Sequence, residues 1–494
     1  MKTFMIRMVL AAVVLSGVVA ATMLLRTAAF ERNPIPEGSP YPFVFDELGA
    51  PERLAGALRI ATVPLGDLTD GDLAVWPAFH RYLKQAFPRV HEVLERETVS
   101  EFSLLYRWPG TDPNLSPILL NAHMDVVPGS EDQTESWRYR PFSGRIEGGY
   151  IWGRGAIDNK GSALGILEAV EGLLEAGFVP RRTILLAFGH DSESGGVNGA
   201  RRIANLLEER RTHTTWTLGE GLYLVSGMIP GLEDPVGMIG VAEKGGMNIR
   251  LIARAEGRSS LMSPQSTAAG VLASAITRLE NSAFPAKIRG PTLEGLETLV
   301  PYMDPGTRML VANLWLLERP LAKALSESPM LGASLRTTAV PTMFHPGSNG
   351  DELPSEVFVL VHLRIAPWDS PDSVVEEIRS VVSDLEIEVE VVEEGMDTTP
   401  PTAVYSSESK GFHAIREAIH RTFPNVVAVV PGLATLGTDS RHYGTVSENV
   451  YGFTPFRVDE ETLQTIHGGG ERVRVSVYLN VIRFYAELIR RGAE

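Results

Sequence analysis

His123 and Asp125 stand either side of Met124 in HMDVVP. Along the chain they are followed by Asp158 in GRGAIDNKG, Glu193 in GHDSESGG, Glu220 in LGEG and His467 in IHGGGERV. Imidazoles mixed with carboxylates, in a chain without cysteine, form the donor set of zinc or a related divalent ion. One carboxylate shared between two such ions makes a co-catalytic pair suited to hydrolysis. Each residue alone is weak evidence. A single histidine at a strand end is ordinarily a hydrogen-bonded polar residue, Asp158 equally suits a helix cap, and Glu220 equally suits a loop. Two other hydrolase signatures fail. HGGG is an oxyanion-loop pattern of esterases, but no G-x-S-x-G elbow accompanies it, and no H-E-x-x-H occurs.

These residues need elements to position them, and the chain alternates strand-length apolar runs with amphipathic helices, the rhythm of an α/β fold. PILLNAHMDVV and RTILLAFGHD read as buried strands. GSALGILEAVEGLLEAGFVP between them carries a helical apolar stripe, with Gly177 and Pro180 as stop signals. The polar residues fall just past strand ends, the rim where open α/β sheets bind ligands. After GVAEKGG the pattern becomes strand, helix, strand, helix, strand, which suits a ferredoxin-like insertion with extra helical material over residues 290–335. From about Thr398 the chain returns to helix, strand and a long closing helix.

The 494 residues and 44% hydrophobic content predict more than one domain. A net charge of −16, with no basic stripe, argues against a nucleic-acid partner. At the N-terminus, Lys2 and Arg7 precede an uncharged apolar run from Met8 to Leu25, closed by Arg26. As a helix this run is about 27 Å long, enough to span a bilayer. The small residues around Ala20 also suit a cleaved signal peptide. Either reading places most of the chain outside the cytoplasm, tethered to the membrane or secreted. The expected organisation is an anchor or signal over residues 1–30, a Pro-rich linker over 31–42, a catalytic domain over 43–244 and 396–494, and a lid over 245–395.

The motifs HMDVVP, WGRGAIDNKGS, GHDSESGG, TAAGVLASAITRLE, LRTTAVPTMF, TDSRHY and IHGGGERV, in this order, resemble the zinc-dependent peptidase and aminoacylase family, most closely its carboxypeptidase S and N-fatty-acyl-amino-acid synthase/hydrolase branch. The resemblance runs from about Pro51 to the C-terminus. It implies an α/β di-zinc catalytic sandwich with an inserted ferredoxin-like α+β lid that serves some relatives as a dimer interface. It also implies two zinc ions per chain bridged by Asp158, one completed by His123 and Glu220 and the other by Glu193 and His467. Asp125 would orient His123. The implied reaction is cleavage of a C-terminal peptide bond or of an N-acyl-amino-acid amide.

Three positions depart from the family pattern. Ser192 stands where the family carries its general-base glutamate, and a neutral hydroxyl is a poor proton acceptor near pH 7. Arg258, in GRSS, replaces a lid histidine that steadies the oxyanion, a role to which a guanidinium still brings hydrogen-bond donors. Asp351, in GDELP, replaces an asparagine and would repel a substrate carboxylate. Arg336 and Arg441 are candidates for gripping that carboxylate, with ordinary ion pairs as the alternative. The expected function is therefore a di-zinc amidohydrolase with reduced activity. The rival is an inactive zinc-binding member that binds a ligand or a partner.

Overall fold

The computed structural model describes residues 2–32, 41–64, 73–129, 137–255, 267–282, 284–345, 353–392 and 398–493. Residues 33–40 of the expected linker lie outside this set. The centre of the molecule is an eight-stranded sheet in the order Glu95–Val99, Ser103–Trp108, Ile184–Gly189, Ile118–His123, Trp216–Val225, Val450–Val458, Val236–Glu243, Ala428–Ala434. Ile118–His123 runs parallel to both of its neighbours, and every residue in it is buried. Strands covered on both faces read as unbroken apolar runs, which is why ILLNAH carries no alternation.

The helix Lys160–Glu175 packs against this sheet, the closing helix Val475–Gly492 and the helices Gly49–Leu58 and Pro88–Val93. Of its sixteen residues, thirteen are buried, so the amphipathic reading of this segment understated its burial. The reason is tertiary, because the closing helix and the helices Gly49–Leu58 and Pro88–Val93 cover faces that would otherwise meet water.

A second sheet has the order Thr338–His345, Glu356–Ile365, Gly245–Arg254, Ile387–Val392, all antiparallel. With the helices Ala268–Ser282 and Pro371–Val381, the chain runs strand, helix, strand, strand, helix, strand, a ferredoxin-like arrangement. In Glu356–Ile365 buried residues alternate with less buried ones, and Val357, Val359, Val361, Leu363 and Ile365 face the helices. The chain crosses between the two sheets at Glu243–Gly245. Near the return crossing, Gly246 and Thr399 exchange backbone hydrogen bonds of 2.9 and 2.8 Å.

The helices Gly290–Leu299, Pro305–Ala312, Leu314–Leu325 and Pro329–Ser334 lie inside the expected lid span but pack against the large sheet. Their core is shared with Val225, Val236, Val430 and Val458. A Cβ added at Gly295 would fall 2.5 Å from the carbonyl oxygen of Pro431, so glycine permits this helix to sit directly on the sheet edge.

The N-terminal helix Lys2–Ala29 is long and apolar enough to cross a membrane. Its last turns are fastened to the inserted helices. Arg308 donates to the carbonyls of Thr27 and Phe30, both at 3.1 Å, and Asn313 Nδ2 donates to Thr27 Oγ1 at 3.1 Å.

Candidate metal centre and substrate site

His123 ends its strand, Asp158 immediately precedes the cap of Lys160–Glu175, and Glu193 lies in a single 3-10 turn after Ile184–Gly189. Glu220 lies within Trp216–Val225, where the pairing with Val450–Val458 shifts register after Gly219 and Gly452. The close approach there requires glycine, since a Cβ on Gly221 would sit 2.4 Å from the Cα of Gly452. His467 follows the short helix Glu460–Thr465 with a left-handed φ of 59°, unusual for a residue with a side chain.

These elements converge on two adjoining clusters that share Asp158, and within each the ligand-type atoms lie within 4.8 Å of one another. His123 Nε2 is 3.1 Å from Asp158 Oδ1 and 3.0 Å from Glu220 Oε2. His467 Nε2 is 2.9 Å from Asp158 Oδ2 and 3.3 Å from Glu193 Oε2. The Nδ1 atom of His123 lies 2.9 Å from the backbone oxygen of Asp125, which can only accept, so that nitrogen carries a proton and Nε2 is the atom turned toward the acidic cluster. The Asp125 carboxylate accepts from the Glu193 amide at 2.9 Å and lies 3.3 Å from the same Nδ1, so one residue, through its backbone oxygen and its carboxylate, orients both an imidazole and the turn carrying Glu193.

The charges answer to this geometry. Burial pushes the His123 imidazole down, but Asp125, Asp158 and Glu220 overrule it and hold it well above its ordinary value. Asp158 and Glu193 push His467 up to about 10. Burial pushes the Asp158 carboxyl up, and the two imidazoles reverse this and hold it below the usual range. Each Nε2 faces only acceptors, so it keeps a proton unless a cation replaces it. Nitrogen and oxygen donors without sulfur, two imidazoles on opposite oxygens of one carboxylate, and a buried Glu193 Oε1 without a hydrogen-bond partner fit a pair of divalent ions.

Two buried groups that the sequence did not single out hold this centre together. Glu471 accepts from the amides of Ile157 and Asp158 at 2.9 and 3.2 Å and from Arg154 at 2.9 Å. The other arm of Arg154 donates to the carbonyls of His467 and Gly468 at 3.3 and 2.9 Å. Neither residue is separable by type from an ordinary surface charge until burial is known.

In the octet GHDSESGG, Asp191 is occupied, accepting from the amides of Asn198 and Gly199 at 2.7 and 2.8 Å. Both of its oxygens are therefore engaged by backbone amides. Ser192 opens the turn ahead of Glu193. Beside it lies Asp439, whose carboxyl is driven far up by burial and opposed by the charge of His123 and by the Ser192 hydroxyl. Neither Asp439 oxygen has a partner of good hydrogen-bond geometry.

At the crossing between the sheets, Arg336 and Arg441 come together with Arg364, which the sequence reading missed. Burial, Arg364 and Arg336 lower the Lys244 amine to about 7, and burial and Arg441 lower the Arg364 guanidinium. Arg441 donates to the Pro400 carbonyl at 2.9 Å, and Lys244 donates to the Arg336 carbonyl at 2.6 Å. Among the described residues no carboxylate pairs with Arg364 or Arg336. The available signal for Arg364 was a lone arginine in the apolar strand EVFVLVHLRI. Arg258 and Asp351 lie outside the described residues.

The sequence pattern of peptidase family M20/M25/M40 matches residues 119–491. The chain belongs to this family.

Among its relatives are a carboxypeptidase S-like 2 protein of Dictyostelium discoideum, 37% identical over 89% of this chain and 84% of that protein, and an N-fatty-acyl-amino acid synthase/hydrolase of Mus musculus, 33% identical over 89% and 87%. The carboxypeptidase S of Saccharomyces cerevisiae is 29% identical over 89% and 83%. The fold is shared with a solved M20 family metallo-carboxypeptidase of Sulfolobus solfataricus, with a TM-score of 0.62 and 19% identity over 91% of this chain and all of that one. Human carnosine dipeptidase 1 also has a TM-score of 0.62, at 14% identity over 90% and 97%. This M20 chain is accordingly an enzyme of the metallohydrolase class, built as an α/β catalytic unit with a lid.

Proposed function

We propose that this enzyme is a dinuclear zinc amidohydrolase that acts on small substrates with a free carboxylate, either C-terminal peptide bonds or N-acyl-amino-acid amides. The observation that carries the reading is Asp158, whose two oxygens face the imidazoles of His123 and His467 separately. Asp158 would bridge the ions, with His123 and Glu220 completing one site and Glu193 and His467 the other. Bound zinc would supply Lewis acidity toward the scissile carbonyl and toward water. Asp125 fixes the His123 tautomer and the Glu193 turn, while Arg336, Arg364 and Arg441 supply the positive field for the substrate carboxylate. The relatives' names, carboxypeptidase S and N-fatty-acyl-amino acid synthase/hydrolase, support the same substrate class.

Ser192 occupies the general-base position, so proton transfer there is the weak step. The expected turnover is about 10²–10⁴ lower than that of a version with a carboxylate at this site. The same residue favours a second reading, a zinc-binding member with no turnover that acts as a ligand-binding or partner-binding module. One experiment separates them, using purified zinc-loaded protein with dipeptide and N-acyl-amino-acid panels, wild type beside Ser192→Glu. Slow wild-type turnover accelerated by Ser192→Glu supports the amidohydrolase. An inert wild type with an active variant supports the module, and inertness of both removes the hydrolase reading.

The helix Lys2–Ala29 supports membrane anchoring with the catalytic unit exported. The lid strand Thr338–His345 is an edge strand that exposes Val340, Met343 and Phe344, a surface suited to pairing with a second copy.

A further inference from the structure

The inserted helices enclose a cavity of about 280 Å³ against the edge of the large sheet. Among the described residues no charged side chain lines it. Leu296, Leu299, Val311 and Leu325 face it from the helices, and Leu222 and Leu433 face it from the strands. Packed interiors do not ordinarily leave such a void, and apolar cavities of this kind stay dry and accept hydrocarbon.

The cavity shares two elements with the candidate metal centre. Leu222 and Tyr223 follow Glu220 on one strand, and Leu463 lies in the helix that leads into His467. The Tyr223 phenol is held well above its ordinary value by burial and by the charges of Asp158 and Glu220, which places it in the field of the centre. Among the lining residues, Leu310, which is 42% exposed, and Ala324 reach the surface. Leu310 shares a helix with Arg308, which holds the end of Lys2–Ala29, and Trp315 and Leu316 lie exposed on the next helix. An apolar mouth beside the end of an apolar anchor, with a bare tryptophan next to it, suits a ligand that partitions into a bilayer.

We propose that this cavity is an acyl subsite that takes the alkyl chain of an N-acyl amino acid. The chain enters past Leu310 and Ala324, and the amide reaches the centre around Asp158. The assignment rests on the amidohydrolase reading and deepens it, because a short peptide would leave the cavity empty.

The test uses the full chain and a series of N-acyl glycines from acetyl to tetradecanoyl, held below their critical micelle concentrations. Binding is followed by calorimetry and turnover by product release. Burial of each methylene is expected to tighten Kd about fourfold until the cavity is full. Ala324→Trp, at the exposed rim, should end this rise at shorter chains and leave the acetyl compound unaffected. Leu331→Ala, on the cavity wall, should extend the rise to longer chains. Affinity independent of chain length, or chain-length profiles identical in all three proteins, overturns the subsite. Graded binding without turnover of any member keeps the subsite and removes the hydrolase. Turnover of the acetyl compound with flat chain dependence does the reverse.

Discussion

Arg154 and Glu471, far apart in sequence, form a buried ion pair of 2.9 Å that joins the loop carrying Asp158 to the loop carrying His467. Each is 1% exposed or less, so removal of either partner strands a charge in the interior. Glu471→Gln is expected to cost about 3–5 kcal/mol of stability. It should also weaken zinc affinity by about 10–100-fold, since it loosens the support of two ligands. Denaturant unfolding and competitive zinc titration read the two effects, and unchanged zinc affinity in a folded variant would contradict the supporting role.

Zinc binding should release protons. The carboxylates that face them hold the His123 imidazole well above its ordinary value and push that of His467 up to about 10. A cation must displace those protons, so at pH 7 loading is expected to liberate about two protons per chain. Calorimetry in buffers of different ionisation enthalpy counts them. Release of none would show that the imidazoles do not ligate.

Among the described residues Arg364 has no carboxylate partner, and it stands near Arg441, so its charge is available to a substrate. Arg364→Ala should raise KM for a carboxylate-bearing substrate roughly 10–150-fold, the range of one charge-assisted hydrogen bond, and leave kcat nearly unchanged. The matching carboxamide substrate should be insensitive. Equal losses on both substrates would point instead to a shifted lid.

Glu243, at the crossing into the lid, is pushed up to about 7 by burial, against hydrogen bonds from the Thr438 hydroxyl and amide. Its folded pKa lies above the unfolded value of 4.5, so its contribution to stability is complete below pH 4.5 and is lost as pH rises through 7. Relative to Glu243→Gln, the wild type should lose up to about 3 kcal/mol across that window. Parallel unfolding curves of both proteins at pH 5 and pH 8 check the sign, and a constant difference between them would refute it.

Much of the centre was legible in the linear order of residues. His123, Asp158, Glu193, Glu220 and His467 are of metal-binding type and occur in motifs of fixed order, and the tertiary structure brings all five together. The helical segment over residues 290–335 was also legible, but its partner was not. Amphipathic helices declare an apolar face without declaring what covers it, so only packing shows that these helices close against the large sheet and leave a cavity there.

The sequence by itself determined the donor chemistry, the α/β rhythm and the apolar N-terminal helix, because these follow from residue type and local periodicity, while the anomaly at Ser192 follows from the resemblance of its motif to the family pattern. Tertiary structure alone decided which carboxylates are free and which are bound. Asp191 is spent on the amides of Asn198 and Gly199, Asp125 serves two elements at once, and Glu471 and Arg154 tie the centre together. Each of these depends on a contact between residues distant in sequence or on burial, and burial is a property of the folded chain that no residue carries alone.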